Sequence, residues 1–283
     1  MVDCHIHMLL DGGFWKDAID RHREKPDETH IRKVLEEYQK RGYTWLRDGG
    51  DRWGVGELAA KLAPEYGIRY RTPCFPIYRE GHYGSFIGRG FETVGEFKAL
   101  VQEVRERGGH FIKLMISGLM DFEHYGVLTD ESMPREMVWE LTEMAHEAGF
   151  AVMAHANGDV AVSAAVEAGV DSVEHGAYLS KEVLCQLAES DTVWVPTLAT
   201  VGNLVQEGRF PDEAVKPLLD YQMNAVKFAA EHGAAIAPGS DAGAYSVRHG
   251  TGGLDELRLL RGAMGEEADS ILEIGTGILQ LKF

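Results

Sequence analysis

Apolar and polar positions along the chain fall into two alternating patterns. Short apolar runs occupy 2–7, 43–48, 68–75, 110–117, 150–157, 172–177, 192–198 and 235–240. Their length and continuity predict eight strands buried on both faces. Between them, apolar residues recur at helical spacing. In the first such stretch Ile31, Val34, Leu35 and Tyr38 form one stripe. Asp27 and Glu28 stand in its opening turn, where the positive end of the helix dipole favours acids. Further helices are predicted at 55–66, 94–107, 134–148, 160–168, 181–188, 212–231 and 254–264.

The junctions carry more information than the elements. Gly42, Gly67, Gly108, Gly149, Gly169 and Gly233 each follow a helix and precede a strand within a few residues. Glycine suits the left-handed turn that closes a helix. The strand-to-helix connections are mostly longer, above all 8–26, 78–92 and 118–132. Short turns at one end and long loops at the other predict an α/β fold of the (β/α)8 TIM-barrel type. A doubly wound sheet is the alternative. No linker or low-complexity segment divides residues 1–283, so a single domain is expected.

Composition narrows the classes. The 28 basic and 45 acidic residues leave a net charge of −17, which repels phosphate backbones and argues against nucleic acid. No apolar run reaches the length of a membrane span. The first residues resemble no signal or transit peptide. Cys4, Cys74 and Cys185 stand far apart without a C-x-x-C pair, which argues against a disulfide framework or a cysteine zinc site. A cytoplasmic protein acting on a small molecule is expected, with homo-oligomerisation open.

Ionisable residues sit where apolar strands should not hold them. His5-x-His7 closes the first strand, and alternation puts both imidazoles on one face, with Cys4 and Ile6 turned to the helices. Lys113 interrupts a hydrophobic strand. His155 ends the fifth strand, His175 the sixth and Asp241 the eighth. Singly, each has a bland reading: a core histidine, a snorkelling lysine, a turn aspartate. Together they place six ligand-capable side chains at the same end of five strands. Imidazole and carboxylate suit divalent zinc, manganese or iron.

This set, His5-x-His7, Lys113, His155, His175 and Asp241, resembles the amidohydrolase superfamily of metal-dependent hydrolases. The stretches 44–48 and 240–243, with His249-Gly250, look most like the branch containing prolidases and imidazolonepropionases. The resemblance implies two divalent ions, Zn2+ by preference with Mn or Fe as alternatives. His5, His7 and Asp241 would hold one, His155 and His175 the other, and Lys113 would bridge both as a CO2-derived carbamate. Many members carry a small β-sandwich. Here only Met1 and Val2 precede the first strand motif, so a barrel lacking most or all of the sandwich, or a truncated chain, is expected.

The implied reaction is hydrolysis of an amide C–N bond, with Asp241 as proton shuttle and His175 beside the reacting centre. An N-acyl amino acid or dipeptide is the leading substrate. A lactone or a cyclic amidine suits the same site. A metal-dependent ligand-binding barrel without turnover is the reading from another class. In prolidase-like relatives loop residues hold a substrate carboxylate. Tyr178, Arg89, Arg248, His124 and His249 are the candidates here. Two other signals are set aside. Gly54-x-Gly56-x-x-Ala59 mimics a dinucleotide fingerprint but reads as helix capping, and His146-Glu147 lacks the second histidine of a zincin.

Overall fold

The computed structural model describes residues 1–283. Its strands are all parallel and lie in two sheets. One comprises β1 (Val2–Ile6), β2 (Trp45–Asp48) and β3 (Arg69–Arg71), in that order. The other comprises β4 (Pro76–Arg79), β5 (Arg89–Phe91), β6 (Ile112–Met115), β7 (Val152–Ala156), β8 (Ser172–His175) and β9 (Val193–Val195). Its order is β5-β4-β6-β7-β8-β9. Helices fall between most successive strands, and the six helix-closing glycines all have φ between 70° and 91°.

Three strand expectations need correction. The run 68–75 does not continue as one strand. Pro73 and Pro76 remove backbone donors, and Cys74 sits at φ 66°. The chain therefore breaks into β3 and β4, which pair with different neighbours. The expected loop 78–92 contains β5, paired in parallel with β4. The run 235–240 forms no strand: Pro238 and Gly239 interrupt it, leaving isolated bridges Trp194–Ile236 and Ile6–Ala242. Residues of this segment still bond to both flanking strands. Trp194 N–H donates to Ala235 O at 2.8 Å, and Cys4 N–H donates to Pro238 O at 2.9 Å.

Alternation sorts each strand's residues into two layers. Ile112, Leu114, Val152, Ala154 and Val173 pack against the helices through Val138, Leu141, Val162 and Leu184. Burying each valine, leucine or isoleucine of this set stabilises the fold by roughly 1.5–3 kcal/mol. On the other face, Trp45, Phe111, Met153, Val193, Val195 and Ala237 form an apolar layer. The last helix, Ala268–Lys282, covers it with Leu279, and Phe283 follows. Cys4 belongs to this layer, not to the helix-facing one expected for it. The cause is a register irregularity: Asp3 pairs with Leu46 but Ile6 pairs with Asp48, so three steps along β1 match two along β2. One step past the apolar layer, on the same face, come Arg47, Lys113, His155 and Glu174.

Candidate metal centre

The six ligand-capable residues converge. His5 Nε2 lies 3.4 Å from His7 Nε2. Both nitrogens lie 3.5 Å from Asp241 Oδ1. Ligand atoms bound at the usual zinc–nitrogen and zinc–oxygen distances stand about 3.4 Å apart across a tetrahedral edge. The trio therefore has the spacing of three corners of a metal site. His175 stands beside it, its ring centroid 5.0 Å from that of His5, and His155 lies 4.6 Å from His175.

Backbone contacts fix the trio. Asp241 N–H donates to His5 O at 2.8 Å, and His7 N–H to Ala242 O at 2.7 Å. Gly49 leaves room for His7: a Cβ there would stand 2.2 Å from its Cε1. Three residues here or alongside sit at positive φ without being glycine: His175 (70°), Thr197 (51°) and Asp241 (59°). Such conformations cost of order 1–3 kcal/mol each and persist where surrounding contacts enforce them. Thr197 Oγ1 is 2.8 Å from His175 Nδ1, and Trp194 Nε1 donates to His175 O at 3.0 Å.

Burial sets the electrostatics. It drives the pKa of His7 and His155 down to about 3, with the Lys113 charge adding to the effect. His5 and His175 also fall well below the ordinary imidazole value, again through burial. All four are neutral at pH 7, the form that ligates metal. Burial raises Asp241 to about 7, against the pull of Lys113. Lys113 is 1% exposed and its Nζ has no hydrogen-bond partner. Burial lowers its pKa to about 8. The Asp241 oxygen in the trio also lacks a partner. A neutral imidazole set with an orphaned carboxylate oxygen and an orphaned amine is a donor set suited to divalent cations.

Sequence reasoning passed over the supports of this set. Glu174 Oε2 is 2.7 Å from His5 Nδ1. Its Oε1 accepts from Arg47 Nη2 at 2.8 Å. Arg47 also donates to Cys4 O at 2.7 Å and Ser172 Oγ at 2.9 Å, and its guanidinium lies 4.4 Å from the Phe283 ring. The available signal was the one that marked Lys113: a charged residue inside an apolar strand.

A cavity of about 390 Å3 opens above the centre, floored by His7, Lys113, His155, His175 and Asp241. The five expected substrate-binding residues do not line it. Arg89 pairs with Glu103 at 2.9 Å. His124 is exposed and pairs with Asp121 at 2.9 Å. Arg248 is exposed. Tyr178 is half-buried with its ring 5.3 Å from that of Tyr125. His249 bridges Tyr38 OH at 3.0 Å and Leu10 O at 2.8 Å. The glycine-rich stretch 54–59 caps a helix: Asp51 accepts from the N–H groups of Trp53, Val55 and Gly56.

No family model matches the chain. The ochratoxinase of Aspergillus niger is 25% identical over 280 residues, an alignment covering 84% of this chain and 56% of that protein. An uncharacterized protein of Mycobacterium tuberculosis is 32% identical over 166 residues, covering 56% of this chain and 44% of that one. The chain thus spans about half the length of these curated relatives. Among solved structures, a Xaa-Pro dipeptidase with bound methionine superposes with a TM-score of 0.77 at 21% identity, over 100% of this chain and 75% of that one. The A. niger ochratoxinase structure gives 0.77 at 21% identity, over 96% and 68%. These structural neighbours are amidohydrolase-superfamily members.

Proposed function

We propose that this chain, which has the fold of amidohydrolase-superfamily members, hydrolyses an amide C–N bond of a small molecule at the His5–His7–Asp241 centre. The observation that carries the reading is the 3.4–3.5 Å spacing of the three ligand atoms, in a buried site whose imidazoles are neutral. His5, His7 and Asp241 would hold one divalent ion, zinc by preference. His155 and His175 would hold a second. Lys113, a buried amine without a partner, would serve both as a carbamate.

Divalent ions here would acidify a water and polarise a carbonyl. The chain's own residues do the rest. The Asp241 carboxyl takes a proton from the attacking water and returns it to the leaving nitrogen. Thr197 holds His175 by Nδ1, leaving Nε2 as its free nitrogen. Glu174 does the same for His5. The apolar cavity walls limit competing water.

The closed (β/α)8 arrangement belongs to the same reading. It is supported by Arg47 of β2 reaching Ser172 and Glu174 of β8 across the two sheets. The bonds of segment 235–241 to both β9 and β1 support it as well. No helix is long and apolar enough to cross a membrane.

The test is metal content together with turnover. Protein prepared with bicarbonate should retain divalent ions and cleave members of an amide panel. Asp241→Asn should abolish turnover while binding ligand. Failure to retain any ion after reconstitution overturns the reading. Cleavage of lactones or cyclic amidines alone would redirect it to those bonds.

A further inference from the structure

The cavity has two unlike halves. Its floor holds His7, Lys113, His155, His175 and Asp241, and the only other ionisable residue lining it is the Tyr83 phenol. Its walls are uncharged, and three of their residues are aromatic: Trp15, Tyr83 and Phe86. The rings form a connected series. Trp15 meets Phe86 edge-on at 5.8 Å, Phe86 lies 5.6 Å from Tyr83, and Tyr83 lies 5.0 Å from His155. The series runs from the 41%-exposed Trp15 down to the floor.

This wall is pre-formed. Tyr83 N–H donates to Asp130 Oδ2 at 2.6 Å. Ile87 O accepts from Arg52 N–H at 2.9 Å, and Gly88 N–H donates to Gly84 O at 2.8 Å. Gly84 sits at φ 127°, so close to Tyr78 that a Cβ would stand 2.6 Å from the tyrosine Cβ. The loop bearing Tyr83 and Phe86 is therefore pinned at both ends, and a flat ring can dock without first ordering it.

No cation lines the wall: Lys16 Nζ lies 5.3 Å from the Trp15 ring, but Lys16 is not among the lining residues. Arg89 is committed to Glu103, and Arg248 does not reach the cavity. Arg79 lines an adjoining crevice that shares Tyr83 and Met115 with the cavity, but Asp130 and Glu131 line that crevice too. A substrate carboxylate set against this wall would lose its hydration without a partner, which weakens binding.

We infer that the site takes an uncharged amide bearing an aryl group, with the ring seated against Trp15, Phe86 and Tyr83 and no carboxylate anchor. This rests on the amide-hydrolase reading for the chemistry, but the aryl seat is a binding property with its own readout.

A matched pair tests it. N-benzoylphenylalanine and N-benzoyl-2-phenylethylamine share the scissile amide and both rings, and differ only in the carboxylate. Binding is measured by titration calorimetry and turnover by release of benzoate, both on metal-loaded full-length protein. The neutral compound should bind at least ~10-fold more tightly and, where cleaved, show a correspondingly higher kcat/KM. Trp15→Ala and Phe86→Ala should each weaken its binding by ~10-fold with metal content unchanged. Equal or tighter binding of the acid overturns the inference, as does failure of both compounds to bind. An acid preference that disappears in Arg79→Met overturns it and identifies the anchor. If the neutral compound binds through Trp15 and Phe86 but neither compound is cleaved, the aryl seat stands and the hydrolase reading fails. If both are cleaved and the acid is preferred, the hydrolase reading stands and the aryl seat fails.

Discussion

Glu174 grips His5: its Oε2 lies 2.7 Å from Nδ1 of the imidazole, and both side chains are fully buried. The contact makes Nδ1 the protonated nitrogen and turns the Nε2 lone pair to the His7–Asp241 trio. Because Glu174 also neutralises Arg47, one carboxylate serves the site and the fold. Glu174→Gln should lower metal affinity ~10–100-fold. It should also destabilise the protein by about 3–5 kcal/mol, since it leaves a buried guanidinium without its counter-charge. Chelator competition and urea unfolding read the two effects. Wild-type metal affinity in the variant would show that Glu174 does not orient His5.

Gly49 tests how His7 is held. Its N–H donates to Ile6 O at 2.8 Å, which fixes the backbone, and a Cβ would collide with the imidazole at 2.2 Å. Gly49→Ala should turn His7 out of the trio. Metal retention should drop by at least ~10-fold, while overpacking costs about 1–3 kcal/mol of stability. Elemental analysis beside circular dichroism separates these. An unaltered metal content would mean that His7 reaches the trio by another route.

Asp51 should make stability depend on pH. Burial raises its pKa to about 6, although three backbone N–H groups favour the carboxylate. The folded chain thus holds a proton that the unfolded chain releases near its ordinary value of 3.8. The contribution is present below the unfolded value and is lost as pH rises through about 6. At most ~3 kcal/mol is at stake. Urea midpoints of wild type and Asp51→Asn between pH 4 and pH 7 should show the wild type's margin over the variant shrinking with rising pH. A constant margin would exclude this linkage.

His249 should behave as a strut. Burial lowers its pKa to about 4, so it stays neutral, donating from Nε2 to Leu10 O and accepting from Tyr38 OH at Nδ1. His249→Ala should cost about 1–3 kcal/mol by leaving buried partners unsatisfied. The ratio of binding constants for the matched benzoyl amides should not change. A selective effect on the acid would restore His249 as a carboxylate ligand.

The candidate cluster was legible because it violates a local rule. Lys113, His155 and the His5–His7 pair are polar residues in apolar strands, and nothing about packing would place them there. Arg47 and Glu174 break the same rule, but each sits among more conspicuous neighbours, and their value lies in a contact between strands 127 residues apart. No spacing encodes that. Arg89 points away from the cavity for a different reason. It was singled out for its residue type in a long loop, yet its direction is set by Glu103, a helix residue that packing brings close. The positive φ angles of His175, Thr197 and Asp241 leave no mark on the sequence, because they are imposed by the bonds around them. The breaks after β3 and within 235–240 were partly visible as prolines. Apolar content outweighed them in reading those runs as whole strands.

The proposed metal ligands stand on or directly after β1, β6, β7 and β8 and on the segment following Ile236, whereas the aromatic wall rises from the connections that follow β1 and β4. Only the first of these loops adjoins a metal-bearing strand, and it does so beyond His7. On the proposed reading, ligands and substrate wall thus lie on largely separate pieces of chain. On that reading, residues 11–22 and 80–88 could be rewritten to change the substrate while the ligand-bearing strands stay as they are, the Tyr83–His155 ring contact at 5.0 Å being the link to preserve. An engineer can do the same by grafting those two loops from another member onto this scaffold.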